Sequence, residues 1–149
     1  MLQEQITAAL KTAMKAKDRL ALEALRAVKS ELLLLQTSGQ NKEISEQEIL
    51  KVLQKLVKQR KDSAAIYSEK GRSDLAEPEL DQAKIISQFL PTAMSDQEID
   101  ELINHVLQDT GASSMADMGR VMGIASKAAA GRAESTVLAQ KIKAKLTQQ

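Results

Sequence analysis

The sequence has no cysteine and no tryptophan, and its aromatic residues are one tyrosine, Tyr67, and one phenylalanine, Phe89. Without thiols there is no disulfide framework, no thiolate nucleophile and no cysteine-based zinc or iron–sulfur site, which fits a reducing compartment. Without several aromatic faces, base stacking on a single-strand platform is not available as a binding mode. No apolar run approaches the ~18–20 residues of a membrane span. The start, Met1-Leu2-Gln3-Glu4-Gln5, has no basic segment leading into an apolar stretch. A cytoplasmic protein with no membrane partner is the expectation. Charge of one sign is also missing: 21 Lys and Arg stand against 20 Asp and Glu, a formal net charge of +1. The whole-molecule field is therefore weak, and any surface for nucleic acid has to be local.

What the chain does have is aliphatic side chains at helical spacing. A chain of 149 residues buries about 68–70% of its unfolded surface, so a core is available and is built from Leu, Ile, Val, Ala and Met. Apolar residues recur at three and four, and two-residue alternation is absent, which predicts an all-α fold. A first helix is expected over about Leu2 to Lys17, with Leu2, Ile6, Leu10, Ala13 and Met14 on its apolar face. A second follows over Asp18 to Thr37, closed by the turn cluster Ser38-Gly39-Gln40-Asn41. A third opens with the capping box Ser45-Glu46-Gln47-Glu48 and ends at Gly71. A fourth opens at Asp74 with Glu77 as a second box, carries Pro78 near its start and ends before Pro91. Ser95-Asp96-Gln97-Glu98 repeats the capping signal after the linker Pro91-Thr92-Ala93-Met94. Three shorter helices are predicted over Ser95 to Thr110, Ser114 to Ala130 and Glu134 to Gln148, with Gly111 and Gly131 at C-caps. The expected organisation is an N-terminal four-helix unit over 1–91 and a C-terminal three-helix tail subdomain over 92–149.

The tail is dipolar. Met94 to Met118 holds Asp96, Glu98, Asp100, Glu101, Asp109 and Asp117 with no Lys or Arg, whereas Arg120, Lys127, Arg132, Lys141, Lys143 and Lys145 follow against Glu134 alone. Candidate chemistry is sparse. His105, the single histidine, lies off the apolar stripe of its helix between Glu101 and Asp109, and reads as a solvated side chain rather than a metal ligand. No Gly-x-Ser-x-Gly elbow, Walker A sequence or Gly-x-Gly-x-x-Gly is present, so no catalytic, metal or cofactor site is assigned. The acids Asp74, Glu77, Glu79 and Asp81 suit a helix N-terminus. Arg60 projects onto the line of Ile49, Leu53, Leu56 and Tyr67, in the middle of an apolar face. It is expected to point inward and take a bidentate carboxylate partner from the second or fourth helix, with an inward anion site as the alternative. On the opposite side Lys51, Lys55 and Lys58 form a basic stripe, either an ordinary solvated face or a weak phosphate contact. Met115, Met118 and Met122 line the sixth helix beside the Gly119-xxx-Gly123 step, which reads as close helix packing or as an adaptable partner groove.

Several segments together resemble one family. They are Leu25-Arg26 with Lys29-Ser30, Lys58-Gln59-Arg60-Lys61-Asp62-Ser63 through Tyr67, Gly71-Arg72-Ser73-Asp74-Leu75-Ala76-Glu77, Phe89-Leu90-Pro91, and Met118-Gly119-Arg120-Val121-Met122. In this order and spacing they are similar to the YqeY family, related to the helical tail region of the B subunit of tRNA-dependent amidotransferases. The resemblance covers roughly Leu2 to Leu146 and departs at Glu134-Ser135, where the family has an Asp-Gly turn. It implies a binding module for tRNA or another structured RNA, linked to aminoacyl-tRNA amidation, with Arg120, Lys127, Arg132, Lys141 and Lys143 on the phosphates. Lys51, Lys55 and Lys58 are then a second contact. The label of carbon–nitrogen ligase with glutamine as amido-N-donor describes the relative's other domains, and an active site sufficient on its own is not expected here. The alternative is a protein–protein adaptor working through the Met115, Met118 and Met122 face, with an aminoacylation or amidation enzyme as its partner.

Overall fold

The structure, a computed structural model, describes residues 1–39 and 43–148. Gln40 and Asn41 of the predicted turn cluster lie outside the described residues. The fold is all-α: seven α-helices and no strand are present among the described residues.

Helix α1 (Leu2–Ala16) buries Leu2, Ile6 and Ala13. Met14 of the predicted face is instead 55% exposed, because at about 100° per residue it projects past the edge of the buried line of Leu2, Ile6 and Ala13. The chain leaves α1 through Lys17 in the left-handed region (φ 54°). Asp18 then caps α2 (Arg19–Ser38), its carboxylate accepting from the Ala21 N–H at 3.2 Å. The predicted capping box opens α3 (Glu46–Glu69): the Glu48 N–H donates to Ser45 Oγ at 3.2 Å and the Ser45 N–H to Glu48 Oε2 at 3.0 Å. Two orphan donors are thereby satisfied reciprocally.

The predicted box at Asp74 does not form. Helix α4 (Ser73–Ser87) starts after Arg72 with no side-chain cap. Asp74 is drawn off by Arg72, whose Nε and Nη2 donate to its two carboxylate oxygens at 3.0 Å each. A guanidinium fork matches both oxygens of a carboxylate, whereas a single backbone N–H engages one. Pro78 is thus the sixth residue of α4 rather than part of its first turn, and the Asp74 carbonyl forgoes its usual i+4 donor. Both residues are exposed to solvent.

Beyond Pro91, Ser95 caps α5 (Asp96–Thr110), and Gly111 ends it at φ 66°. A 3₁₀ turn over Met115–Asp117 leads into α6 (Met118–Ala129), so the α-helix begins later than the spacing predicts. The Asp117 carboxylate holds that turn by accepting from the Ser113 N–H at 3.1 Å. Ala130 (φ 50°), not Gly131, is the first left-handed residue after α6, with Gly131 (φ 82°) following. Glu134 is the N-cap of α7 (Ser135–Thr147) and makes no side-chain cap bond.

The helices gather into two compact units, Met1–Leu90 and Pro91–Gln149. In the first, α2 touches α1, α3 and α4, and α3 runs along α4. Its core holds Ile6, Val28, Leu53, Leu56 and Ile86, with a smaller cluster of Ala13, Ala21 and Leu25 where α1 meets α2. The second unit packs Ile103, Val106, Val121, Ala125, Leu138 and Ile142 between α5, α6 and α7. Both cores are aliphatic, and among the described residues no polar or charged side chain is buried.

Candidate nucleic-acid interface

The cationic side chains of the second unit divide into two sets. One set is engaged. Arg132 donates to Glu98 Oε2 at 3.1 Å and to the Thr92 carbonyl at 2.8 Å. Lys141 sits 3.0 Å from Asp100 Oδ1 and 4.0 Å from Asp96 Oδ1, and Lys145 donates to Asn104 Oδ1. The dipolar pattern of the sequence is thereby resolved: the acids at the start of α5 face the bases of α7 and of the turn before it. Arg120 joins this set through Asp117 Oδ1 at 3.2 Å and the Thr110 carbonyl at 3.3 Å. The other set is Lys127 and Lys143, both exposed, and among the described residues neither makes an ion pair.

The outer face of α6 carries Arg120 and Lys127, two helical turns apart, with Gly119 and Gly123 beside them. The predicted close helix packing of the glycine step is not what the structure has. Both glycines are exposed, and a Cβ built on either meets nothing within 4 Å. The reason is register: Val121, Ala125 and Ala129 fill the inward face of α6, which turns Gly119 and Gly123 outward. The methionines split as well. Met118 and Met122 are half-buried and pack against the core, and only Met115, at 43%, is exposed, so the three do not form one open groove.

In the first unit Lys51, Lys55 and Lys58 are all exposed. Lys55 lies 3.5 Å from Glu31 Oε2 and Lys58 2.8 Å from Asp62 Oδ2, so carboxylates answer two of the three charges. Arg60 is half-buried on the apolar line as expected, but its partner is an amide and not a carboxylate pair. Its Nε donates to Gln82 Oε1 at 3.0 Å, and Nη1 to the Leu56 carbonyl at 3.3 Å. Gln82 Nε2 in turn donates to Glu23 Oε2 at 3.1 Å. Gln82 reaches Arg60 because α4 runs alongside α3, and it passes the contact on to a glutamate of α2. Sequence reading missed Gln82, since a neutral amide on a half-buried face carries no distinctive pattern.

At the exposed Arg72–Asp74 pair the Arg72 guanidinium holds the Asp74 carboxyl below its ordinary value and is itself raised by that bond. His105 is exposed, 3.4 Å from Asp109 Oδ2. Among the described residues no group of three or more His, Asp or Glu converges as a metal site. Among the described residues no helix is long and apolar enough to cross a membrane.

The family model described as Yqey-like protein matches residues 3–146. The chain belongs to the YqeY family. Curated relatives include a protein of Clavispora lusitaniae named "Altered inheritance of mitochondria protein 41, mitochondrial", 38% identical over 107 residues, which cover 70% of this chain and 61% of that one. The protein of the same name from Kluyveromyces lactis is 36% identical over 103 residues, 67% of this chain and 55% of its own. The match thus spans between about half and three fifths of the relatives' length. For a YqeY chain, the family segments fall on visible parts of the structure. Arg60 sits in the α2–α3–α4 hydrogen-bond chain, Arg72 and Asp74 clamp the start of α4, and Gly119-Arg120 opens the outer face of α6.

Proposed function

We propose that this YqeY-family chain is an accessory module that binds tRNA or another structured RNA through phosphate contacts of its second unit, in support of aminoacyl-tRNA amidation. The observation that favours this reading is the outer face of α6. Lys127 projects from a helix whose Gly119 and Gly123 leave the backbone open, so a bulky phosphate backbone can approach it closely, with Arg120 alongside although held by Asp117 and the Thr110 carbonyl. Contacts of this kind read shape and charge, as structured RNA requires. Arg132 and Lys141 contribute to the field but are held by Glu98 and Asp100. Lys127 and Lys143 therefore make the first contacts, and Lys51, Lys55 and Lys58 a second and weaker one.

Binding of purified chain to bulk tRNA over a salt series tests the proposal. Wild type is expected to lose affinity steeply between about 50 and 200 mM salt, as counterion release dictates. Lys127→Glu with Lys143→Glu breaks no ion pair among the described residues and should abolish binding. Absence of binding by wild type at low salt would sink the RNA reading. The amidation link is tested separately: glutamine-dependent amide transfer by the purified chain alone would replace an accessory role by a catalytic one. The cytosol, or a mitochondrial compartment such as the relatives' names state for those proteins, is the setting in which the RNA would be met, and fractionation of the source cells decides between them.

A further inference from the structure

We propose that the groove between α1 and α2 receives the outer face of α4 from a second copy of this chain. The groove measures about 700 Å³. Ile6 and Leu32 form its floor, and Leu33, 61% exposed, stands at its edge. Its charges are Glu4, Lys11 and Lys29. Glu4 lies 3.8 Å from the chain's amino terminus, and among the described residues Lys11 and Lys29 make no ion pair. Two cations beside an apolar floor suit the edge of an acidic amphipathic helix better than a phosphate backbone, which has no use for Leu33.

The chain itself presents such a helix. The outer side of α4 exposes Leu80 at 47%, with Glu77, Asp81 and Lys84 around it, and among the described residues none of these three charges is paired within the unit. Helix α5 is also acidic, but Glu98 and Asp100 are occupied by Arg132 and Lys141 and its Ile99, Ile103 and Val106 are buried. The charges of groove and helix match in register. Glu4 and Lys11 are seven residues apart on α1, and Glu77 and Lys84 are seven apart on α4, each pair spanning about 10.5 Å of helix axis. Counted back from the α1–α2 turn, Lys29 is level with Ile6 and Thr7, between Glu4 and Lys11. Asp81 lies in the same way between Glu77 and Lys84. Laid antiparallel to α1, α4 of a second copy sets Lys84 against Glu4, Asp81 against Lys29 and Glu77 against Lys11. Both surfaces belong to the first unit, so a two-fold pair makes the contact twice.

Sedimentation velocity of the full chain over about 1–200 μM tests this, in the range of a micromolar Kd. Wild type should move from monomer to dimer with concentration. Lys11→Glu with Lys29→Glu, and separately Glu77→Lys with Asp81→Lys, should each weaken dimerisation by at least about tenfold, since like charges then face each other. An equimolar mixture of the two variants should dimerise again, because each reversed surface meets its reversed complement. Leu33→Ser, which keeps every charge, should also weaken the dimer. Circular dichroism of each variant alone establishes that it is folded. A wild type that stays monomeric throughout, variants that dimerise like wild type, or a mixture of folded variants that stays monomeric each overturns the proposal.

Discussion

Arg60 shows how a charged residue can occupy the apolar line of a helix. Its guanidinium is half-buried, and its hydrogen bonds run to Gln82 and the Leu56 carbonyl, with Glu23 next in the chain. Gln82 is the middle member, so Gln82→Leu strips a donor or acceptor from both neighbours. It should cost about 1–3 kcal/mol in urea unfolding, against less than about 1 kcal/mol for Glu23→Ala at the solvent end. Asp74 titrates under the influence of its neighbour Arg72. Its folded pKa is lowered by Arg72, so the stability it contributes is present above the unfolded pKa and is lost as pH falls through the folded value. An NMR titration should find the Asp74 carboxyl midpoint lower in wild type than in Arg72→Gln. The pair is fully exposed, so its effect on global stability stays small.

Among the elements, α6 departs furthest from its sequence pattern, and its departures make signed predictions. Gly123 is exposed in mid-helix with open space where a Cβ would stand. Gly123→Ala should therefore stabilise the chain by roughly 0.5–1 kcal/mol, whereas a glycine required for close packing would make the same change destabilising. At the other end, Ala130 bears the left-handed φ of 50° that a glycine adopts without strain. Ala130→Gly should add about 1 kcal/mol in thermal or chemical unfolding. The capping box of α3 gives the opposite sign: Ser45→Ala removes the acceptor for the Glu48 N–H and should cost about 0.5–2 kcal/mol.

For the whole molecule, the ion pairs among the described residues lie at the surface, from the amino terminus beside Glu4 to Lys141, 27% exposed, beside Asp100. Such pairs contribute about 0–1 kcal/mol each and are screened by salt. Unfolding free energy should therefore change little between about 50 and 200 mM salt, the range over which the proposed RNA binding is expected to fall steeply, and parallel urea and binding titrations check the contrast. Sequence alone determined the helical class, most helix starts, the Ser45 and Ser95 caps, the C-cap at Gly111 and the family. These follow from local spacing and from hydrogen bonds made within a few residues along the chain. Tertiary structure decided which side of a helix the glycines of α6 occupy, that Gln82 and not a carboxylate meets Arg60, and that Arg132 and Lys141 are answered by the acids of α5. Those outcomes depend on how neighbouring helices are rotated and aligned, and the partners lie more than twenty residues away along the chain, where periodicity carries no information.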